Sequence, residues 1–284
     1  MNGRWLRALP VLLACAVCLA SAQAESSGSG WFSPPSQTPA PTAMPPAPIE
    51  PLPTAAPQST IILPTLQRGD RGGAVRCLQQ VLIELGYLSG SADGDYGGNT
   101  EQAVLRAQAM ARLPATGVAD GGFLASLYSG GVPDATGAPA RLSARVVVYS
   151  ATSQHSDKYG SYSVDNAFDG RLDTTWCEDA AGYGEGEGIS FTVATFGQTS
   201  LALDIFAGYQ KKAAIYRNNG RPRDIQLTVD GKPYTYTLSD SMSAQSFILP
   251  NPSANPFMEL DLTILSVYPG EKWQDTCICD IQVR

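Results

Sequence analysis

The sequence predicts two folded parts of different class: a small all-α module of three helices, then an all-β antiparallel sandwich. Three observations carry this. Residues 65–130 repeat apolar side chains at helical spacing. From Ser143 the pattern changes to short alternating runs with no comparable helices. Ahead of both lies a stretch too rich in proline to bury a core, with eleven of the 21 prolines between Pro34 and Pro64.

In chain order, residues 1–24 read as a secretion signal. Arg4 and Arg7 give a positive start, Leu9 to Ala20 an apolar run too short to span a bilayer, and "AQA" a small-x-small cleavage site after Ala24. A rival reading takes "LLAC" as a lipobox with Cys15 lipidated. Residues 25–64 form the proline-rich spacer, suited to reach through or above a cell wall. No later segment is long and apolar enough for a membrane helix, so the mature chain is expected outside the cell, secreted or wall-associated. Removing the signal leaves 17 basic against 26 acidic residues. That balance, with no lysine- or arginine-rich run, argues against nucleic acid as a partner.

In the helical part, "GGAVRCLQQVLIELGYL" places Val75, Leu78, Leu82 and Leu85 on one face. "NTEQAVLRAQAMARL" is a second helix, with Thr100 as the expected N-cap and Ala103, Val104, Ala107 and Ala111 inward. "DGGFLASLYSG" is a third, carrying Phe123, Leu124 and Leu127. Residues 131–142 read as a second linker. The β part, residues 143–284, supplies eight strand-like runs, from "ARVVVYSA" to "CICDIQVR", with a hairpin turn at Asp230-Gly231.

Two resemblances follow from these residues. "LQRGDRGGAVRCLQQVLIELGYLSG", "DGDYGGNTEQAVLRAQ" and "TGVADGGFLASL" together resemble the peptidoglycan-binding three-helix domain. This implies a wall glycopeptide as partner. Ala107 departs from it, standing where the family carries an aromatic, so the core is expected either underfilled there or repacked by Met110. The spacing in "NAFDG", Thr174 and Trp176 resembles the discoidin-like, galactose-binding-like jelly rolls. With "AGYQKKAAIYRNNGRPRDIQL" and "LTILSVYPGEKWQDTCICDIQV" it resembles the glycan-binding translocation domain joined to bacterial NAD glycohydrolase toxins. Nothing in the chain corresponds to the hydrolase.

The resemblance and the residue chemistry give a candidate sugar site: Glu178, Tyr209, Gln210, Lys211, Tyr216, Asn218, Arg221, Tyr268, Lys272 and Asp275. Aromatic faces meet the C–H side of a sugar, and fixed donors and acceptors meet its hydroxyls. No cofactor is required. The one candidate ion is a structural calcium on Asp169, Asp173, Thr174 and Asp280, a set implied by the discoidin likeness. Arg171 departs from that pattern, and the alternative is that Asp169 braces the loop by accepting main-chain N–H bonds. Cys177 has two candidate partners on one strand face, Cys277 and Cys279; Cys177–Cys277 is the pairing taken here, and unbridged thiols are the other outcome.

Catalytic machinery is thin. A single histidine, His155 in the run "SQHSDK", supplies neither a Ser-His-Asp triad nor a zinc site. The expected function is therefore non-catalytic glycan binding. Two alternatives stand beside it. One is a glycosidase or wall hydrolase using Glu178 with Asp275 or Glu185. The other is a protein-binding adhesin or toxin-delivery partner.

Overall fold

The computed structural model describes residues 61–284. The expected signal segment, the Cys15 alternative and the spacer up to residue 60 lie outside the described residues. Everything described belongs to one unit.

Three helices come first: α1 (Gly73–Glu84), α2 (Gly98–Met110) and α3 (Gly121–Tyr128). Val75, Leu78, Val81, Leu82, Ala103, Val104, Phe123, Leu124 and Leu127 meet in one apolar cluster, as their spacing requires. Asp120 caps α3, accepting from the Phe123 N–H at 2.8 Å. The expected Thr100 cap does not form. Gly97 occupies that position, and Thr100 sits buried in the first turn, accepting from Gln79 at 3.0 Å. Met110 stays 41% exposed, so it does not fill the space beside the buried Ala107. Cys77 is buried and its thiol is pushed up to about 12, chiefly by desolvation, which suits a small core side chain rather than a nucleophile.

The β part follows as β1 (Arg145–Ala151), β2 (Ser156–Asp157), β3 (Gly160–Ser161), β4 (Trp176–Cys177), β5 (Gly188–Ala194) and β6 (Ser200–Ala207). After a short helix α4 (Ala213–Asn218) come β7 (Arg221–Val229), β8 (Lys232–Thr237), β9 (Gln245–Pro250), β10 (Phe257–Tyr268) and β11 (Cys277–Val283). The eight predicted strands are all present, and the three extra ones are two residues long. A five-stranded sheet, β1-β5-β10-β7-β8, packs on a four-stranded sheet, β4-β11-β6-β9. The ladders of both sheets are antiparallel. Buried Phe191, Leu203, Ile225, Leu260, Ile278 and Trp176 fill the space between them. The β7–β8 turn has positive φ at both Asp230 (47°) and Gly231 (79°), the two-residue hairpin the sequence implies.

The segment between the two parts is irregular but packed. Val132 is fully buried, and the Tyr87 hydroxyl donates to the Pro133 carbonyl at 2.8 Å. Leu63, Ala140 and Leu142 pack on the helical core, and Val147 and Ala194 of the sandwich are buried within it. A Cβ placed on Gly73 would fall 2.2 Å from the Tyr149 ring, so the start of α1 lies directly on β1. Arg145 pairs with Glu84 across the same seam at 2.6 Å. The helical module and the sandwich therefore share a core instead of hanging on a tether.

Candidate functional site

The residues proposed from sequence divide into two groups. One group holds the fold. Arg221, at the start of β7, is 7% exposed. Its guanidinium donates to both Asp240 oxygens, at 3.1 and 2.7 Å, and to the carbonyls of Asn219 (3.0 Å) and Pro269 (2.8 Å). The Tyr216 hydroxyl donates to Asp240 at 2.9 Å. Tyr216 and Tyr268 flank the guanidinium with ring centres at 5.4 and 5.9 Å, and the Tyr268 hydroxyl donates to the Leu238 carbonyl at 3.0 Å. The Arg221 contact holds the Asp240 carboxyl below its ordinary range, whereas burial first, and Asp240 second, push the Tyr216 phenol up. This network pins α4 and the loop before β11 to the sheet. Gln210 is likewise buried, donating to the Ala207 carbonyl at 3.1 Å. The Asn218 carbonyl accepts the main-chain N–H groups of Lys272 and Trp273.

Glu178 belongs to the same group. It is 1% exposed, and its two oxygens accept the Thr276 N–H (2.9 Å) and the Ala180 N–H (2.7 Å). Desolvation raises its pKa against those two bonds. Gly184, at φ 68°, lies over the carboxylate so closely that a Cβ there would come 2.4 Å from it. The glycine-rich run 182–188 thus closes over Glu178. A glycosidase pairing of Glu178 with Asp275 or Glu185 has no open carboxylate at Glu178 to present.

The second group is accessible. Residues 155–162 hang on β4 by main-chain bonds: His155 N–H to Cys177 O, Cys177 N–H to Tyr162 O, and Tyr162 N–H to His155 O. This sets the His155 ring against Tyr162, centroids 5.7 Å apart, and Tyr162 edge-on to Tyr209 at 6.2 Å. Tyr209 donates to the Asp173 carbonyl at 3.2 Å. Asp179 binds His155 Nδ1 at 2.7 Å and is the first cause of that histidine's raised pKa. Asp275 adds to the same shift; Tyr162 is raised by burial first, then by Asp157 and Asp275. Lys211 is exposed next to this row, near enough to help lower Asp173. Lys272 lies exposed over the Trp273 ring at 4.4 Å. The structure therefore brings together Tyr209, Lys211 and Asp275 from the predicted set and adds His155, Tyr162 and Asp179. His155 sits in a run with no strand or helix signal, and no spacing in the sequence couples it to Asp179. The main-chain pairing to Cys177 does.

Cys177 and Cys277 are bonded directly across the β4–β11 ladder, while Cys279 is a buried thiol donating toward the Thr174 carbonyl. The acidic loop beside it does not offer a cation shell. Asp169 accepts from the Thr174 hydroxyl and the Arg171 N–H, and Asp173 is bound bidentately by Arg171 at 3.0 and 2.9 Å. The buried Asp280 accepts from Gly170 N–H and Gln282, and burial raises its pKa. Among the described residues no three His, Cys, Asp or Glu side chains converge as metal ligands. The expected calcium set does not fit: the cation facing Asp173 is the Arg171 guanidinium, and Asp169 acts as the brace.

The family model described as NAD glycohydrolase translocation F5/8 type C domain matches residues 141–284, just over half of the chain. The chain belongs to this family. Ahead of its F5/8 type C domain, a peptidoglycan-binding domain model matches residues 71–127. No curated protein matches the sequence. Among solved structures, the domain is similar to part of arabinofuranosyltransferase AftD from Mycobacteria (15% identity, 54% of this chain, TM-score 0.37), of which it spans 12%. It is also similar to the family 32 CBM from C. perfringens NanJ in complex with galactose (14% identity, 49% of this chain and 98% of that one, TM-score 0.34). A third is an F5/8 type C domain from Bacteroides fragilis (16% identity, 51% and 97%, TM-score 0.33).

Proposed function

We propose that this is an exported, non-catalytic protein of the cell wall that holds glycan on the sandwich face bearing Tyr162, Tyr209 and His155. The two family matches support glycan as the ligand class. The observation that carries the site is the aromatic row itself: three rings in contact, each partly exposed, edged by Lys211, Asp179 and Asp275. Rings stack on a sugar's C–H face while flanking charged groups take its hydroxyls. The closed position of Glu178 supports binding over hydrolysis. A disulfide between Cys177 and Cys277 supports an oxidising compartment.

Retention of the full chain on purified wall glycan, together with a glycan array, tests this. Tyr209→Ala is expected to weaken retention about thirtyfold while leaving the fold intact, since hot-spot aromatics carry about 2 kcal/mol of binding. Wild-type protein that is not retained sinks the function. Retention unchanged in Tyr209→Ala sinks the site.

A further inference from the structure

We propose that His155 sets the specificity of the aromatic row: its bare Nε2 accepts a ligand hydroxyl, and the row takes an uncharged sugar in preference to one bearing a carboxylate. The inference rests on the glycan-binding reading above and names the ligand class of that same site.

The other ring nitrogen decides the chemistry. Nδ1 of His155 lies 2.7 Å from an Asp179 oxygen. A carboxylate only accepts, so Nδ1 carries the proton and donates. In the neutral ring Nε2 is then a lone-pair acceptor. Among the described residues it has no hydrogen-bond partner. The ring is held in this orientation from two sides. Its face stacks on Tyr162 at 5.7 Å with 21° between the planes, and its main chain is bonded to Cys177 and Tyr162. The side chain remains partly exposed.

The surrounding charges favour the same kind of ligand. Asp157 on the adjoining hairpin, Asp179 after β4 and Asp275 before β11 all act on the ring. Asp157 accepts two N–H groups of its own hairpin, at 2.8 and 3.1 Å. The Asp275 carboxylate accepts no hydrogen bond among the described residues, so it is a second free acceptor. Of the nearby cations, Arg171 is bound to Asp173, Lys158 lies over the Tyr159 ring and Lys272 over Trp273, which leaves Lys211. The Tyr209 hydroxyl already donates to the Asp173 carbonyl. The row therefore offers more acceptors than donors. Sugar hydroxyls supply the missing donors, whereas a ligand carboxylate brings negative charge among three acids. Protonation reverses the polarity of Nε2. The ring then donates there, a bound hydroxyl must turn round, and a carboxylate gains a cationic partner. The preference for uncharged sugar should accordingly shrink as pH falls through the titration of His155.

The test uses the full chain and one polymer in two forms: peptide-free wall glycan strands with their carboxylates free, or capped as methylamides. At pH 8 the capped strands are expected to bind about fivefold tighter, and the ratio should fall toward one at pH 5. His155→Phe keeps a ring against Tyr162 but removes the acceptor, and should abolish the pH dependence of the ratio. Equal binding of both forms at pH 8, a ratio that does not change with pH, or a pH dependence that survives His155→Phe overturns the proposal. Two measurements on the wild type decide even if the variant fails to fold. Ring ¹⁵N shifts above the titration should show the Nδ1–H tautomer, and soluble capped strands should lower the midpoint of the His155 titration. The Nε2–H tautomer, or a midpoint unchanged or raised by the strands, overturns it. Tyr209→Ala separates the two readings. Wild-type retention that Tyr209→Ala leaves unchanged overturns the aromatic row as the site, and this inference with it. Retention that falls in Tyr209→Ala but shows no preference between the strands overturns this inference alone.

Discussion

Two parts of the sandwich rim are built from the same kinds of residue and are arranged in opposite ways. Around Arg221, the side chains of Tyr216, Asp240 and Tyr268 and two carbonyls close on one another. Around Tyr162, the rings of His155 and Tyr209 touch but leave their outer faces open. Both rims mix aromatics with charges, as ligand sites do. What separates them is where the hydrogen bonds end. In the first, every functional group ends on the protein; in the second, the faces end on solvent. Polar and aromatic composition marks a rim as important, and the end point of each hydrogen bond tells a brace from a platform.

The comparison breaks if a brace residue alters binding without altering stability, or if a platform residue does the reverse. The largest expected effect is on the brace side. Replacing Cys177 and Cys277 together by Ala removes a link closing 100 residues, and should cost about 3–5 kcal/mol in denaturant unfolding. Arg221→Ala leaves Asp240 with the Tyr216 hydroxyl alone and two carbonyls without their donor, and should cost about 2–3 kcal/mol with glycan retention unchanged once the protein is folded. Glu178→Gln keeps one of two accepting oxygens and should cost about 1–2 kcal/mol, read from the shift in the urea midpoint.

The smallest effect lies on the platform and depends on pH. His155 is the one histidine of the chain, so its ring protons give an unambiguous NMR titration. Its pKa is raised above the ordinary 6.5, first by Asp179. A raised histidine pKa means the charged pair contributes fully below about 6.5 and fades as pH rises through the folded value. Asp179→Asn should return the titration toward 6.5 and remove that pH dependence. A titration that stays raised in the variant would assign the shift to Asp275 and Asp157 instead.

The fold was largely legible because its signals are periodic. Helical spacing around Leu78 and Val104 and the alternation from Arg145 to Val283 each reflect one buried face. The packed connection at Val132 was not legible, since one valine among Gly, Pro and Asp carries no period. The site was legible only in part. Tyr209, Lys211 and Asp275 stood out as polar loop residues, and so, for the same reason, did Arg221 and Tyr216, which are structural. Asp173 and Arg171 looked like a cation seat with an intruder, whereas the intruder is the partner. His155 and Tyr162 join the row through main-chain bonds to Cys177, which no side-chain pattern encodes.

The Cys177–Cys277 bond also has a topological consequence. It closes a ring containing β5 to β10, which supply four strands of the five-stranded sheet and two of the four-stranded one. A protease that cuts once anywhere inside that ring leaves two fragments still joined by sulfur. The nicked chain keeps its full mass on a gel until a reductant is added. The bond thus lets a single cleavage in an exposed loop pass without release of either fragment.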